Sequence, residues 1–415
     1  MAESKLAIFR IANMGLRGVT LLSKFLLVFF LAAYLSPQEL GIYGLLAATI
    51  AYAVFFLGLD FYTYTTRELL RREKNVWGKL LKSQGALHSI LYLCFLPLLS
   101  LLFFFGLLDW QLAPWFFVLL VLEHLNQELM RLLIAISHQF AATIALFFRQ
   151  GLWAAAITVW MLVDEDTRQL SFVFAAWLVG NLCALSVGVV VIVRKNIGGW
   201  SSRIDWKWLK KGLPIALPIL LATICLRGVF TIDRYYIDWF AGSEVLGAYV
   251  LFISLASALM AFLDAGVFSY FYPSLIHAHN QNDRKSFERV LKGMTRNTLV
   301  VSVGFCVSAT IALGPLLDYI DKEIYLSYRN IFYILLAAIT IQGIGNVFHY
   351  GLYAQGKDKS NIAGNVISLF LFLGAIGLID AQDSIYLVPV SILLSMCFLV
   401  LWKLGFYKAS SRKLS

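Results

Sequence analysis

Long apolar runs separated by short polar segments fill almost the whole chain. Each run is close to the roughly 20 residues that an α-helix needs to cross about 30 Å of hydrocarbon. The predicted spans are residues 11–35, 40–64, 85–108, 113–136, 140–163, 170–193, 213–238, 244–270, 298–318, 330–353, 361–379 and 384–404. The pattern therefore predicts an all-α integral membrane protein with about twelve transmembrane helices.

Two short motifs occur twice in the chain. The sequence Leu40-Gly41-Ile42-Tyr43 returns 206 residues later as Leu246-Gly247-Ala248-Tyr249. With a four-residue shift, Leu16-Arg17-Gly18-Val19 returns as Leu226-Arg227-Gly228-Val229. Each arginine is followed seven residues later by a second base, Lys24 in one copy and Arg234 in the other. The chain is therefore predicted to contain two copies of one half.

The repeat sets the predicted domain organisation. Six predicted spans in each copy give the copies the same orientation, so the repeat is parallel and its axis lies along the membrane normal. We assign residues 1–194 to an N-terminal six-helix bundle, 195–212 to a cytoplasmic linker and 213–415 to a C-terminal six-helix bundle. The expected binding site is a central cavity between these two bundles.

Composition supports the membrane prediction, because 60% of the residues are hydrophobic and 14% are charged, against about 25% charged in soluble domains. The net charge of +10 comes from clusters between apolar runs, so no nucleic-acid partner is expected. On one side the only loop bases are Arg168, Lys322 and Arg329, and acids such as Asp380 and Asp383 lie there too. The other side, with both termini, is therefore predicted to be cytoplasmic.

Charged residues inside the predicted spans are the candidate site residues. Each costs roughly 2.5 to 3.5 kcal/mol at a helix centre, so they must face one another or water. The helical period places Arg17 and Lys24 on one stripe and Arg227 and Arg234 on the equivalent stripe of the other copy. The predicted substrate-binding residues are Arg17, Lys24, Arg149, Arg227 and Arg234. Alternatively, these bases pair with span acids such as Asp233 and hold the helices together.

The fourth span is the most polar of the twelve, with Glu123, His124, Glu128 and Arg131. His124, Glu128 and Arg131 share a helix face because they are spaced by four and three residues. Carboxylates and histidine in a membrane interior suit a proton relay or an ion site. The predicted ion-coupling residues are Glu123, His124, Glu128, Asp60 and Asp264. A satisfied interhelical network and a metal site are the alternatives.

Motifs for enzymatic chemistry are missing from the sequence. The chain has no Gly-rich phosphate loop, no His-Glu-x-x-His and no nucleophile elbow. Its five cysteines lie in apolar runs without Cys-x-x-Cys spacing, so neither a disulfide framework nor a metal site is expected. We therefore expect no cofactor and no catalytic residue. A membrane enzyme of cell-envelope polysaccharide assembly would need a larger outer loop than the chain has.

The motifs at 35–43 (LSPQELGIY) and 232–236 (IDRYY), followed by Gly247-Ala248-Tyr249, resemble a known family in their order and spacing. The chain resembles the polysaccharide-exporting branch of the multidrug/oligosaccharidyl-lipid/polysaccharide (MOP) flippase superfamily, the O-antigen and repeat-unit flippases. The resemblance implies transport of an undecaprenyl-pyrophosphate-linked oligosaccharide across a bacterial inner membrane by alternating access, with coupling to H⁺ or Na⁺.

The implied partners are the lipid-linked oligosaccharide, membrane lipids and other polysaccharide assembly proteins. A cation-coupled multidrug exporter of the same fold is the alternative, and the excess of bases in the spans argues against it.

Overall fold

The computed structural model describes residues 2–195, 197–378 and 385–412, with side chains from residue 12 onward except 378, 411 and 412. The predicted outer acids Asp380 and Asp383, and the predicted span boundaries at 379 and 384, lie outside the described residues. The helices are α1 (Ala2–Tyr34), α2 (Pro37–Gly58), α3 (Tyr62–Arg71), α4 (Lys74–Leu99), α5 (Leu101–Phe104), α6 (Ala113–Ala135), α7 (Gln139–Leu146), α8 (Trp153–Val163), α9 (Leu170–Val193), α10 (Trp206–Ala241), α11 (Ser243–Leu263), α12 (Ser269–Asn280), α13 (Arg284–Ile320), α14 (Glu323–Ser327), α15 (Asn330–Ala354), α16 (Asp358–Leu378) and α17 (Leu387–Arg412).

Eleven helical stretches in the described part of the chain are long and apolar enough to cross a membrane. The remaining predicted span is α6, whose 23 residues include Glu123, Glu128 and Arg131 and are therefore less apolar. The all-helical membrane fold predicted from the apolar runs is confirmed. Several helices begin earlier than the apolar runs do, and α10, for example, starts at Trp206 rather than at 213. A helix that begins before its apolar run keeps the backbone groups of those extra residues hydrogen-bonded.

The chain forms two compact units. Unit 1 consists of residues 1–35 and 45–220, and unit 2 consists of residues 36–44 and 221–415. The chain thus passes between units three times, just before α2, inside α2 and inside α10, and the segment 195–212 belongs to unit 1.

In unit 1, α6 packs on α9, and α1 packs along α7 and α8. The contact between α6 and α9 includes buried amides, since Asn126 Nδ2 donates to the Asn181 carbonyl oxygen at 2.9 Å and to Asn181 Oδ1 at 3.0 Å. At the start of α10, the Trp208 ring lies 5.4 Å from Phe61 and 5.2 Å from Tyr64. These contacts attach the first turns of α10 to unit 1.

The segment before α10 is docked on α4. Gly78 N donates to Gly198 O at 2.8 Å, and Lys82 Nζ donates to the carbonyl oxygens of Trp200 and Ser202, each at 3.2 Å. Gly78 permits this approach, because a Cβ at that position would lie 2.5 Å from Gly198 O. The segment before α10, which includes the predicted linker, therefore packs on α4 within unit 1.

In unit 2, α15 packs on both α17 and α11, and α16 packs on α17. Glycines allow these close approaches. A Cβ on Gly345 would lie 2.7 Å from Val400 Cγ2, and a Cβ on Gly364 would lie 2.7 Å from Trp402 Cδ1. The result is a tightly packed group formed by α15, α16 and α17.

The helices α2 and α11 are interrupted at equivalent positions of the repeat. In the register that matches Leu40 with Leu246, Leu57 corresponds to Leu263. Helix α2 ends at Gly58 and is followed by two residues at positive φ, Leu59 at 49° and Asp60 at 50°. Helix α11 ends at Leu263, where a π-helical turn over Asp264–Phe268 begins. Interruptions at matching positions of two halves indicate a functional site in transporters.

Candidate transport site

A buried ion pair in unit 1 joins Arg149 to Glu123 on α6. Arg149 Nε donates to Glu123 Oε2 at 2.6 Å, and its terminal nitrogen Nη2 lies 2.5 Å from the same oxygen. The other carboxylate oxygen accepts from Trp177 Nε1 at 2.7 Å and from Asn181 Nδ2 at 3.0 Å. Both charged residues are 7% exposed. The Arg149 guanidinium, predicted to bind substrate, is therefore paired with a carboxylate predicted to couple ions.

A π-helical turn between α7 and α8, Phe147–Leu152, positions Arg149. Such a turn adds a residue to the helix and redirects the side chains around it. The main chain of the same turn also helps, because Trp153 Nε1 donates to Arg149 O at 2.7 Å. Trp153 in turn stacks on Trp177, with ring centroids 5.9 Å apart. The local backbone and two indoles thus hold the arginine in place.

A second charged cluster lies where α2 is interrupted. Arg131 Nη1 donates to Glu128 Oε1 at 2.7 Å, and Arg131 Nη2 lies 3.6 Å from Asp60 Oδ1. The guanidinium carbon lies 3.5 Å from the centroid of the Tyr62 ring. Gln84 Nε2 completes the cluster by donating to Glu128 Oε2 at 2.7 Å. One arginine therefore neutralises part of the charge of two predicted ion-coupling carboxylates.

His124, also predicted to couple ions, is buried beside these clusters. Its Nδ1 lies 2.6 Å from Tyr92 Oη, and its ring is edge-on to His88 with centroids 4.7 Å apart. Its Nε2 has no hydrogen-bond partner among the described residues, and a Cβ on Gly58 would lie 2.9 Å from it. No group of three or more metal-ligating side chains occurs in the searched, described part of the chain.

The sequence reasoning missed several partners in these clusters. Gln84, His88 and Tyr92 contact Glu128 or His124 from α4, and their spacing of four residues places them on one helix face. That spacing is a signal the sequence offers. Trp177 and Asn181 are also four residues apart, on α9. Polar side chains spaced four residues apart in an apolar run therefore indicate which face of the helix packs against a buried charged residue.

Both bases of the predicted stripe on α1 are exposed, whereas Thr20, which lies between them in the sequence, is buried. Thr20 is buried and donates to Leu16 O at 2.8 Å. Arg17 and Lys24 are exposed, and Lys24 Nζ lies 3.5 Å from Gln150 Oε1. Nothing lies within 4 Å of a Cβ placed on Gly18. In unit 1, Arg17 and Lys24 thus lie on the open face of a membrane helix.

In unit 2 the two predicted bases of α10 have different surroundings. Arg227 is exposed. Arg234 donates to Phe230 O on its own helix and lies 3.4 Å from Asp233 Oδ1. Asp233 is fully buried and accepts from Tyr249 Oη at 2.5 Å. Arg234 therefore belongs to a structural cluster with Asp233, whereas Arg227 remains accessible.

Asp264, the remaining predicted ion-coupling residue, begins the π-helical turn of unit 2 and is exposed. Arg227 acts on it electrostatically. Aromatic residues follow it, with the Tyr350 ring 5.2 Å from both Phe268 and Tyr272. This part of unit 2 thus combines a base, an acid and tyrosines, which can bind anionic and hydroxyl groups.

Comparisons with known proteins show the fold. The chain is similar to an inward-facing multidrug resistance MATE family transporter of the MOP superfamily, at 13% identity and TM-score 0.75, with 98% of each chain covered. It is also similar to a MATE structure in the bent conformation, at 14% identity and TM-score 0.62, covering 97% of this chain and 95% of the other.

A third similar structure is a MOP superfamily transporter from Pyrococcus furiosus, at 14% identity and TM-score 0.58, covering 99% of this chain and 95% of the other. No protein-family model and no curated protein matches the chain. The protein is a multi-pass membrane protein with the MATE-like fold of MOP superfamily transporters.

Proposed function

We propose that the protein transports an undecaprenyl-pyrophosphate-linked oligosaccharide, an O-antigen or similar repeat unit, from the cytoplasmic to the periplasmic leaflet of a bacterial inner membrane. One observation supports this most strongly. In unit 1 the acids Glu123, Glu128 and Asp60 are paired with arginines, whereas Arg17 on α1 is exposed. The accessible charge that α1 presents in unit 1 is therefore positive.

An exposed base inside a membrane span needs water or an anion beside it, because a charge facing lipid is costly. A diphosphate is a suitable anion, since the planar guanidinium donates to phosphate oxygens in pairs. Lys24 extends the positive face of α1, and Arg227 offers the equivalent group on α10. Asp264 interacts electrostatically with Arg227 and offsets part of its positive charge. Arg17 is therefore the stronger candidate of the two arginines for binding the diphosphate. Arg149, paired with Glu123, would orient neighbouring groups in this proposal.

The alternative is export of cationic drugs. Its specific support is Asp264, an exposed acid within a span of unit 2, and the similarity to a transporter described as a multidrug resistance MATE protein. In the Pyrococcus furiosus transporter, the reverse polarity of the binding pocket suggests a different function for that protein. That case supports using the polarity of accessible side chains to decide between the two substrates.

The experiment uses purified protein in proteoliposomes with two probes. One probe is a fluorescent undecaprenyl-pyrophosphate disaccharide, and the other is ethidium, a monovalent cation. We expect movement of the pyrophosphate lipid between leaflets and no transport of ethidium. Ethidium transport without movement of the lipid would instead establish the drug exporter.

Variants test the role of the bases. Arg17→Gln should weaken binding of the pyrophosphate lipid about 10- to 100-fold, because a charge-assisted contact contributes roughly 1.5 to 3 kcal/mol. Arg17→Lys should retain part of the activity. The control is Lys285→Gln with Arg289→Gln, which removes two exposed bases near the start of α13. If Arg17→Gln moves the lipid at the wild-type rate, this arginine does not bind the substrate.

A further inference from the structure

Lys403 is buried inside unit 2, although the sequence placed it at the end of the last predicted span. It lies in α17, which spans Leu387–Arg412, and is 2% exposed. It belongs to a buried face of that helix with Ile392, Ser395, Met396 and Leu399, all 2% exposed or less. No ion pair or hydrogen bond of Lys403 is found within residues 197–378 and 385–412. Among the unit 2 side chains that the structure describes, none supplies a counter-charge for Lys403.

Close contacts of α17 with α15 and with α16 show which residues of those two helices lie at the same height along the helix axis as Lys403. On α15, a Cβ on Gly345 would meet Val400, and a Cβ on Gly351 would lie 3.4 Å from the Tyr407 ring. Residues midway between these two glycines, including His349, are therefore level with Lys403. On α16, the carbonyl oxygen of Ser360 accepts from Trp402 Nε1 at 3.0 Å, which places Asn361 near the same level.

Buried side chains of α15 and α16 near Lys403 offer acceptor atoms. His349 Nδ1, Asn361 Oδ1 and Asn365 Oδ1 are buried, and the side chains of His349 and Asn361 also interact with each other. The amide nitrogens of the two asparagines are occupied, since Asn361 donates to His349 O at 3.4 Å and Asn365 donates to Ala222 O at 3.1 Å. An ammonium has three N–H donors and no acceptor, so its chemistry matches this set.

The charged groups around Lys403 are few. His349 on α15 is the titratable group that interacts with it electrostatically. Asp358 and Lys359 begin α16 but are exposed, and Lys408 on α17 is exposed as well. Tyr350 and Tyr353 on α15 pack on Tyr272 instead. Unit 1 differs, because its buried Arg149 is paired with Glu123 at 2.5 Å. The side chains around the buried Lys403 are therefore a histidine and amides, whereas the partner of Arg149 is a carboxylate.

We propose that Lys403 and His349 form a proton-exchange site in unit 2. In one state the lysine is an ammonium that donates to acceptors of this set. In the other state an Nζ–H bond breaks, the electron pair stays on Nζ, and the proton passes to water as hydronium. A proton from water on the other side of the membrane restores the ammonium. One lysine thus carries one proton per cycle.

This inference concerns the energy source and goes beyond the proposed substrate. Its test needs no substrate, so its failure is separate from failure of the proposed function. The whole protein is prepared with lysine labelled by ¹³C at Cε and placed in nanodiscs. The substitution Lys403→Arg removes one NMR signal and thereby assigns it. We expect the assigned signal to move between the ammonium and amine positions over about pH 6 to 9, because burial disfavours the charged form of a lysine.

A Lys403 signal that stays at the ammonium position across that range overturns the proposal. The contact with His349 is tested in the same spectra, because His349→Gln should shift the pH at which the Lys403 signal moves. An unchanged midpoint would remove His349 from the site.

A second measurement does not depend on assigning a spectrum. The midpoint of thermal unfolding is compared with that of Lys403→Met across the same pH range, and Lys359→Met is the control because Lys359 is exposed near the start of α16. If Lys403 changes its charge, the difference between wild type and Lys403→Met varies with pH, whereas the difference for Lys359→Met stays constant. A constant difference for both variants contradicts proton exchange at Lys403.

Discussion

Gly41 on α2 and Gly247 on α11 meet backbone to backbone, since a Cβ placed on Gly41 would lie 3.1 Å from Gly247 N. These are the glycines of the two copies of the repeated motif at 40–43 and 246–249. Both lie in unit 2 as the contacts define it, because that unit includes residues 36–44. The glycine in each copy of the motif is thus explained by packing, because a side chain there would collide with the main chain near the other copy.

The first prediction follows from this contact. Gly247→Ala should lower the stability by about 1 to 3 kcal/mol, because the added methyl group meets the main chain of Pro37 and the backbone must move. The measurement is the midpoint of thermal unfolding in detergent. The control is Gly374→Ala, also in a helix, where nothing lies within 4 Å of the new Cβ. Alanine favours a helix over glycine by up to about 1 kcal/mol, so this control should be neutral or stabilising. Equal effects at both sites would contradict the close contact.

The second prediction concerns the buried pair of unit 1. Glu123→Gln leaves the Arg149 charge buried without a partner, which should cost about 3 to 5 kcal/mol. Adding Arg149→Met should restore part of that loss, because the second change removes the unpaired charge. Unfolding of the two single variants and the double variant measures the coupling. Glu165→Gln is the control, since Glu165 is 82% exposed in its pair with Arg168 and such pairs contribute about 0 to 1 kcal/mol. Additive effects of the two single changes would refute the pairing.

The third prediction concerns how the contribution of Asp205, a residue outside the membrane spans, to the stability of the protein depends on pH. The hydrogen bond from Lys79, with Nζ 2.7 Å from Asp205 Oδ2, lowers the pKa of Asp205, and the backbone N–H of Trp208 lowers it further. A lowered pKa means that the stabilisation is complete above the unfolded value of about 3.9 and disappears as the pH falls through the folded value. We therefore expect the stability difference between wild type and Asp205→Asn to be constant near neutral pH and to shrink only in acid, below about pH 4. A difference that shrinks between pH 8 and 6 would show that another group is responsible.

The fourth prediction concerns the orientation in the membrane. If the side rich in bases is cytoplasmic, a cysteine at Lys207 should react with a maleimide only from the cytoplasm, and one at Glu165 only from the periplasm. Both positions are exposed. The five native cysteines are first replaced, because Cys94 is also exposed. Labelling of right-side-out vesicles with a membrane-impermeant reagent decides the question, and labelling at position 207 alone would reverse the orientation.

The sequence by itself determined the membrane helices, because a run of apolar residues must leave water whatever its neighbours are. It also determined which charges share a helix face. Glu128 and Arg131, three residues apart on α6, form an ion pair at 2.7 Å. The repeat could likewise be read from the motifs at Gly41 and Gly247. All of these properties are local in the chain or follow from identity between two segments.

Only the tertiary structure decided which charges neutralise one another. Arg149 is paired with Glu123 across 26 residues, and Arg131 on α6 approaches Asp60 in the turn after α2. Neither pairing is encoded in spacing, because each depends on how the helices pack and on backbone irregularities, the turn at 147–152 and the positive φ of Asp60. The same holds for Lys403, which is near the end of its apolar run and yet is buried. The position of a residue within an apolar run does not tell whether its side chain is buried. For Lys403, the neighbouring helices α15 and α16 determine whether the side chain meets water or protein.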